Sequence, residues 1–306
     1  MSAVALPAGV SVFERGWLSS NNVLLVGPDR TALVDSGYCT HADQTLVLVE
    51  GALQGRPLDV LVNTHLHSDH CGGNAALQAR YPALQTHIPP GHAAFVARWD
   101  PHTLSYAPTG QECPQYRYDV ALVPGGTLSL GAQLWQVHAA PGHDPHSVIL
   151  FEHESRTLIS ADALWERGFG VVFPELDGVG AFDEVAATFD LIESLAPRVV
   201  IPGHGTVFTD VAQALQVARQ RLDGFVRSPA KHHQYAAKVL VKFKLLDAQR
   251  LSRAALLGWL TQTPYVQSLL ANSYVDMATP DLLDRLLGEL VRSGAAALDG
   301  EWVLNR

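Results

Sequence analysis

The chain has 306 residues, 47% of them hydrophobic and 17% charged, with a net charge of −9; this is enough apolar material for a sizeable core and excludes a disordered or collagen-like chain. No stretch approaches a membrane span, and the start Met1-Ser2-Ala3-Val4-Ala5-Leu6-Pro7 lacks the basic segment and unbroken apolar run of a signal peptide. Cys39, Cys71 and Cys113 are odd in number and far apart, which argues against a disulfide framework and for a reducing, cytoplasmic setting.

In chain order, Val10-Ser11-Val12-Phe13 and Val23-Leu24-Leu25-Val26 read as strands, the second closed by the turn Gly27-Pro28-Asp29-Arg30. Thr31 to Gly37 returns as a strand that ends on Asp35, and residues 41–54 read as a helix. Asp59-Val60-Leu61-Val62-Asn63 is a short apolar run of the kind that forms a buried strand. It leads directly into Thr64-His65-Leu66-His67-Ser68-Asp69-His70, and a helix starts near Ala75. Three imidazoles and a carboxylate therefore crowd one strand-to-helix turn. Borderline-soft divalent ions take that donor set, so the turn reads as a zinc-type metal site. His65 and His67 are two apart and can share a side, while Asp69 and His70 turn the corner toward a second ion.

The pattern His65-x-His67-x-Asp69-His70 resembles the signature of the metallo-β-lactamase-fold hydrolase superfamily. Later segments match the family's remaining ligands in order: Pro141-Gly142-His143, Ser160-Ala161-Asp162, and Ile201-Pro202-Gly203-His204-Gly205. The resemblance covers roughly residues 10–210 and implies an α+β fold, a four-layer αββα sandwich with ligands in loops at one edge. It implies one metal on His65, His67 and His143, a second on Asp69, His70 and His204, and Asp162 between them. It also suggests that Asp35 supports the site from behind, although an aspartate there also suits a turn.

Residues 82–126 read as the least regular part, with six prolines before residue 120. Trp99, His102, Tyr106, Tyr116, Arg117 and Tyr118 make this segment either a substrate wall or a packed excursion. His87, His92 and His102 have no counterpart in the family and are not expected to be ligands. Residues 127–130, 133–138, 147–151 and 157–160 read as strands, 183–196 as a helix and 198–201 as the strand before His204. His146 and His153 read as structural, and Asp144-Pro145-His146 stands where the family commonly has small or hydroxyl residues. The Gly-rich loop 163–180 offers Trp165, Phe169 and Phe173 as pocket candidates.

Residues 1–210 hold 9 Arg, no Lys and 22 Asp plus Glu, whereas residues 211–306 hold 12 Lys plus Arg against 8 acids. The shift places a domain boundary at 210, giving a catalytic domain over 1–210 and a second domain over 211–306. In the latter, 211–225, 231–246, 252–261 and 280–293 read as helices, and Asp299-Gly300 between apolar runs as a hairpin turn. Helices followed by a hairpin resemble a winged helix. The basic stretch 219–253 keeps nucleic acid in view, but the wing carries Asp299 and Glu301, so a packing or homodimer module is the favoured reading.

The resemblance implies two divalent ions, zinc first with manganese or iron as alternatives, about 3.5–4 Å apart and sharing a hydroxide that attacks the substrate. Asp69 would orient that hydroxide. True β-lactamases of this family lack the bridging aspartate, so a small ester, lactone or thioester is the expected substrate. A phosphodiesterase or endoribonuclease-like hydrolase is the alternative, and an iron-dependent persulfide dioxygenase-like oxidoreductase a further one. Cys71 reads as a small buried residue rather than a nucleophile.

Overall fold

Strands that are apolar on both faces need a layer packed on each side, and the central strands of the first sheet alternate in that way. The structure, a computed structural model, describes residues 4–274 and 277–306. Its first sheet has six strands in the order β1 (Val10–Phe13), β2 (Asn22–Val26), β3 (Thr31–Val34), β4 (Val60–Val62), β5 (Gln85–Ile88) and β6 (Val120–Ala121). The β1–β2 and β2–β3 pairs are antiparallel, and β3 through β6 run parallel. Val23, Leu25, Ala32, Val34, Val60 and Val62 face the second sheet, while Leu24, Leu33 and Leu61 pack against Val49, Leu53 and Leu77 of the outer helices Ala42–Leu53 and Asn74–Arg80.

The second sheet contains β7 (Thr127–Leu130), β8 (Gln133–Ala139), β9 (Val148–Glu152), β10 (Thr157–Ala161) and β11 (Val199–Pro202), in the spatial order β11-β10-β9-β8-β7. Its β10–β11 pair is parallel and its other pairs are antiparallel. Trp135, Val137, Leu150, Ile159 and Ile201 complete the core between the sheets, with Trp135 fully buried. The helix Phe182–Leu195 buries Val185, Phe189 and Ile192. The architecture is the α+β sandwich expected from the sequence.

Residues 82–126 are more regular than expected. They contain β5, β6 and the short helices Ala93–Arg98 and Tyr106–Thr109. The two strands escape a sequence reading because one is polar at three of its four positions (Gln85, Thr86, His87) and the other is a single pair of residues. Tyr106 and Tyr116 are buried, so neither is a free wall over a cleft.

The chain separates into two compact units, Met1–Leu104 with Glu112–Asp223, and Ser105–Gln111 with Gly224–Arg306. The units part inside the helix Val211–Arg227, where the sequence reading puts the boundary ahead of it at 210. The second unit holds the helices Pro229–Ala248, Arg253–Gln262, Pro264–Ser273 and Thr279–Arg292. Its sheet of β12 (Arg250–Ser252), β13 (Ala296–Asp299) and β14 (Trp302–Asn305) has the order β12-β14-β13. β12 and the helix Pro264–Ser273 were not expected. Ser252 caps the helix after β12 by accepting a hydrogen bond from the Ala255 N–H at 3.1 Å.

Candidate metal centre

Strand ends deliver the polar groups. β4 stops at Val62, and the chain turns through Thr64–His67 into the short helix Ser68–Cys71. β8 is followed by His143, β10 by Asp162 and β11 by His204. The β10 exit, and that of β3, use a left-handed residue that is not glycine: Ala161 before Asp162 (φ 45°) and Asp35 after β3 (φ 58°). Such residues cost about 1–2 kcal/mol each, a strain that is common where a chain aims a functional group. At Ala161 it accompanies a register shift against β11 and swings Asp162 off the strand line. Gly203 is fixed by close approach, since a Cβ there would lie 2.2 Å from Asp162 Oδ1.

The donors fall into two groups, His65 with His67 and His143, and Asp69 with His70, Asp162 and His204, each with ligand atoms within 4.8 Å of one another. In the first, His143 Nε2 stands 3.3 Å from His65 Nε2 and 2.8 Å from His67 Nδ1. Ligand atoms around a tetrahedral zinc are about 3.3–3.4 Å apart, given bonds of about 2.0–2.1 Å, so His65 and His143 are spaced for one ion and His67 lies closer to His143 than that spacing. In the second, His204 Nε2 lies 3.1 Å and His70 Nε2 3.8 Å from Asp69 Oδ2. Asp162 reaches both groups: Oδ1 is 3.4 Å from His70 Nε2 and 3.8 Å from His204 Nε2, while Oδ2 is 3.4 Å from His143 Nε2. His70 Nε2 is buried and makes no hydrogen bond among the described residues, an arrangement that a bound cation would satisfy.

Four of the five imidazoles are held from behind by an oxygen. His70 Nδ1 is 2.8 Å from Asp35 Oδ2, and Asp35 also accepts from the Thr64 N–H and hydroxyl at 2.9 and 2.8 Å. His65 Nδ1 faces Thr64 Oγ1 at 3.2 Å, His143 Nδ1 the Val171 carbonyl at 2.5 Å and His204 Nδ1 the Gly16 carbonyl at 3.1 Å. His67 Nε2 faces Asp144 Oδ2 at 4.0 Å. For His70, His143 and His204, an oxygen acceptor behind Nδ1 leaves the other nitrogen's lone pair aimed into the cluster.

The two groups differ in charge. Burial, reinforced by His70, His67 and His143, holds His65 well below the ordinary imidazole range. Burial and His143 push His67 down to about 4. Both rings are therefore neutral near pH 7. Burial also acts against protonating His70, but Asp162, Asp35 and Asp69 outweigh it and raise the group well above its usual range. His204 is raised over the same opposition by Asp162 and Asp69. Burial opposes ionising Asp162, yet His70, His204 and His143 hold it well below the carboxylate range; Asp69 is lowered against burial by His70 and His204. The carboxylates thus draw positive charge into this half, and a divalent cation would supply it.

Aromatic side chains border the cluster. Phe173 packs edge-on to His67 at 4.9 Å, and Trp165 donates from Nε1 to Asp162 Oδ1 at 3.2 Å. Phe169, the third candidate of that loop, is buried against Phe189 and belongs to the core. Trp17 was not anticipated: its ring stacks on His204 at 5.3 Å and 10°. His87, His92, His102, His146 and His153 lie outside both donor groups. Cys71 is fully buried, with its sulfur 3.9 Å from that of Cys113.

A four-layer sandwich with His and Asp side chains gathered at its strand ends defines a class of metal-site proteins. The family model of the metallo-beta-lactamase superfamily matches residues 15–204, and the chain belongs to that superfamily. A hydroxyacylglutathione hydrolase of Anaeromyxobacter dehalogenans is 34% identical over 161 residues, 52% of this chain and 52% of that one. The chain thus spans about half the length of that curated relative. A beta-lactamase domain protein from Burkholderia ambifaria has a TM-score of 0.60 at 20% identity, covering 99% of this chain and 94% of its own. A metallo-beta-lactamase family protein from Thermus thermophilus has a TM-score of 0.57 at 19% identity, covering 99% and 100%. At these identities the likeness to both solved structures is one of fold.

Proposed function

We propose that this protein is a dinuclear-metal-dependent hydrolase of a small ester, lactone or thioester, working in the cytoplasm. The carrying observation is the span of Asp162, whose two oxygens lie within 3.4 Å of donor atoms of both groups. His65, His67 and His143 would hold one ion, Asp69, His70 and His204 the other, with Asp162 shared and Asp35 behind His70. Zinc is the first choice for this set of nitrogen and oxygen donors, ahead of manganese or iron. When bound, such a pair lowers the pKa of water and polarises a carbonyl oxygen. The chain's own groups do the rest. Asp69, with 15% of its side chain exposed, would orient an attacking water through its carboxylate. Trp165 keeps Asp162 in place, and Trp165 and Phe173 exclude solvent from the cluster's flank. A thioester is favoured by the hydroxyacylglutathione hydrolase named among the relatives.

The region 211–306 is proposed to serve packing or dimerisation rather than nucleic-acid binding. Several of its basic residues are engaged within their own unit: Lys238 pairs with Glu289 at 3.1 Å, and Lys242 donates to the Ala295 and Arg306 carbonyls at 2.7 and 2.8 Å. Arg250 lies over Trp302, and Arg253 pairs with Asp284.

Elemental analysis combined with a screen of thioesters, lactones and phosphodiesters tests the assignment. Close to two zinc or manganese ions per chain, with thioester or lactone turnover abolished by a chelator, is the expected result. One iron per chain with oxygen consumption would replace the hydrolase with a sulfur oxygenase.

A further inference from the structure

We infer that Trp17 and Trp165 form an aromatic wall on the His204 side of the centre that selects substrates carrying a flat apolar group beside the scissile bond; this rests on the hydrolase reading above. Trp17 lies between β1 and β2 and is 53% exposed, although it is among the largest apolar side chains. Its ring stacks on His204, and it meets Trp165 edge-on at 5.2 Å and 73°. Trp165 also stands edge-on to His204 at 5.6 Å, with its N–H committed to Asp162. Both indoles are thereby held in place, one on a proposed ligand and one on the shared carboxylate. A carbonyl brought to Asp162 places its neighbouring substituent beside these rings. Edge-to-face and stacked contacts reward a flat apolar group there.

The charge around Trp17 points the same way. Residues 1–210 contain no lysine. Arg15, two residues before Trp17, directs its guanidinium to Asn22 Oδ1 at 2.6 Å, Thr45 Oγ1 at 2.8 Å and Gln44 Oε1 at 2.9 Å. The nearest cation along this segment is committed to the β2 side and is not offered to an anionic substituent.

The test uses the metal-loaded full chain and three thioesters: S-methyl thiobenzoate, S-phenyl thioacetate and S-methyl thioacetate. The wild type should favour at least one aryl compound. Trp17→Ala should lower the aryl-to-methyl ratio of kcat/KM about ten-fold, mainly through KM, whatever loss the three share. Trp17→Phe should restore most of that ratio, which a merely structural role of Trp17 would not produce. An unchanged ratio in Trp17→Ala overturns the inference. Product binding separates failure of the wall from failure of the hydrolase reading. Benzoate should bind the wild type about ten times more tightly than acetate, and Trp17→Ala should lose that preference. Equal binding of the two anions, and of thiophenol and methanethiol, by the wild type refutes the wall, whether or not any thioester is hydrolysed. Retained aryl preference with no turnover of thioesters, esters or lactones refutes the hydrolase reading and leaves the wall standing.

Discussion

The half of the centre built from His65, His67 and His143 has three imidazoles, with Asp162 Oδ2 3.4 Å from His143 and Asp144 farther off, 4.0 Å from His67. The other half combines Asp69 and Asp162 with His70 and His204, and Asp35 stands directly behind it. Burial keeps two rings of the first half neutral, whereas the carboxylates of the second raise both of its imidazoles. Two nearly adjacent donor groups would therefore hold a cation by different means. The first relies on convergent nitrogen lone pairs, the second on negative charge that burial makes costly to leave uncompensated.

The sharpest way to break this comparison is at the one residue common to both halves. Asp162→Ala should remove metal from both sites and lower turnover by at least about 10²–10³-fold, on the scale of losing a principal electrostatic contributor to a catalytic site. Metal content by elemental analysis and the far-ultraviolet circular dichroism spectrum, which should be unchanged, give the readouts. Wild-type metal content and rate in the variant would remove Asp162 from the bridging position.

A smaller effect should separate the halves. Asp35→Asn replaces an acceptor that serves His70 and both hydrogen-bonding groups of Thr64. Losing the partner of a ligating imidazole weakens metal binding by about 10–100-fold. Chelator competition should show that loss chiefly for the ion on the His70 side. His65 is affected only through Thr64 Oγ1, so its half should weaken less. Equal losses at both sites would show that Asp35 holds the turn as a whole rather than one ligand.

The seven ligand-type residues were legible because the family's spacings place them, in order, just after apolar runs. What lies behind them was not. The carbonyls of Gly16 and Val171 orient His204 and His143, and a carbonyl leaves no trace in residue identity. Gly16 is also 188 residues away from His204 along the chain. Trp17 escaped for the same reason, since nothing near it in sequence says which strand end it will cover. β5 and β6 were missed because pairing with parallel neighbours, more than their own alternation, makes them strands. Phe169 and Phe173 look alike in a Gly-rich loop, yet one packs on Phe189 and the other on His67. Only the fold distinguishes them.

The smallest effect is expected at Asp144, and it bears most directly on the contrast between the halves. Its Oδ2 is 4.0 Å from His67 Nε2, too far for a hydrogen bond, while its Oδ1 accepts from the His146 N–H at 2.8 Å. Asp144 therefore acts on His67 through charge, favouring the partial positive charge that an imidazole gains on coordination. Asp144→Asn keeps an acceptor for His146 and removes only that charge. Metal affinity on the His65, His67 and His143 side should fall by less than about ten-fold, below the range for a directly bonded partner. A loss as large as that of Asp35→Asn would mean that Asp144 fixes the orientation of His67 as Asp35 fixes that of His70. The first half would then lean on a carboxylate as the second does, and the distinction between a site built on neutral nitrogen and one built on charge would have to be given up.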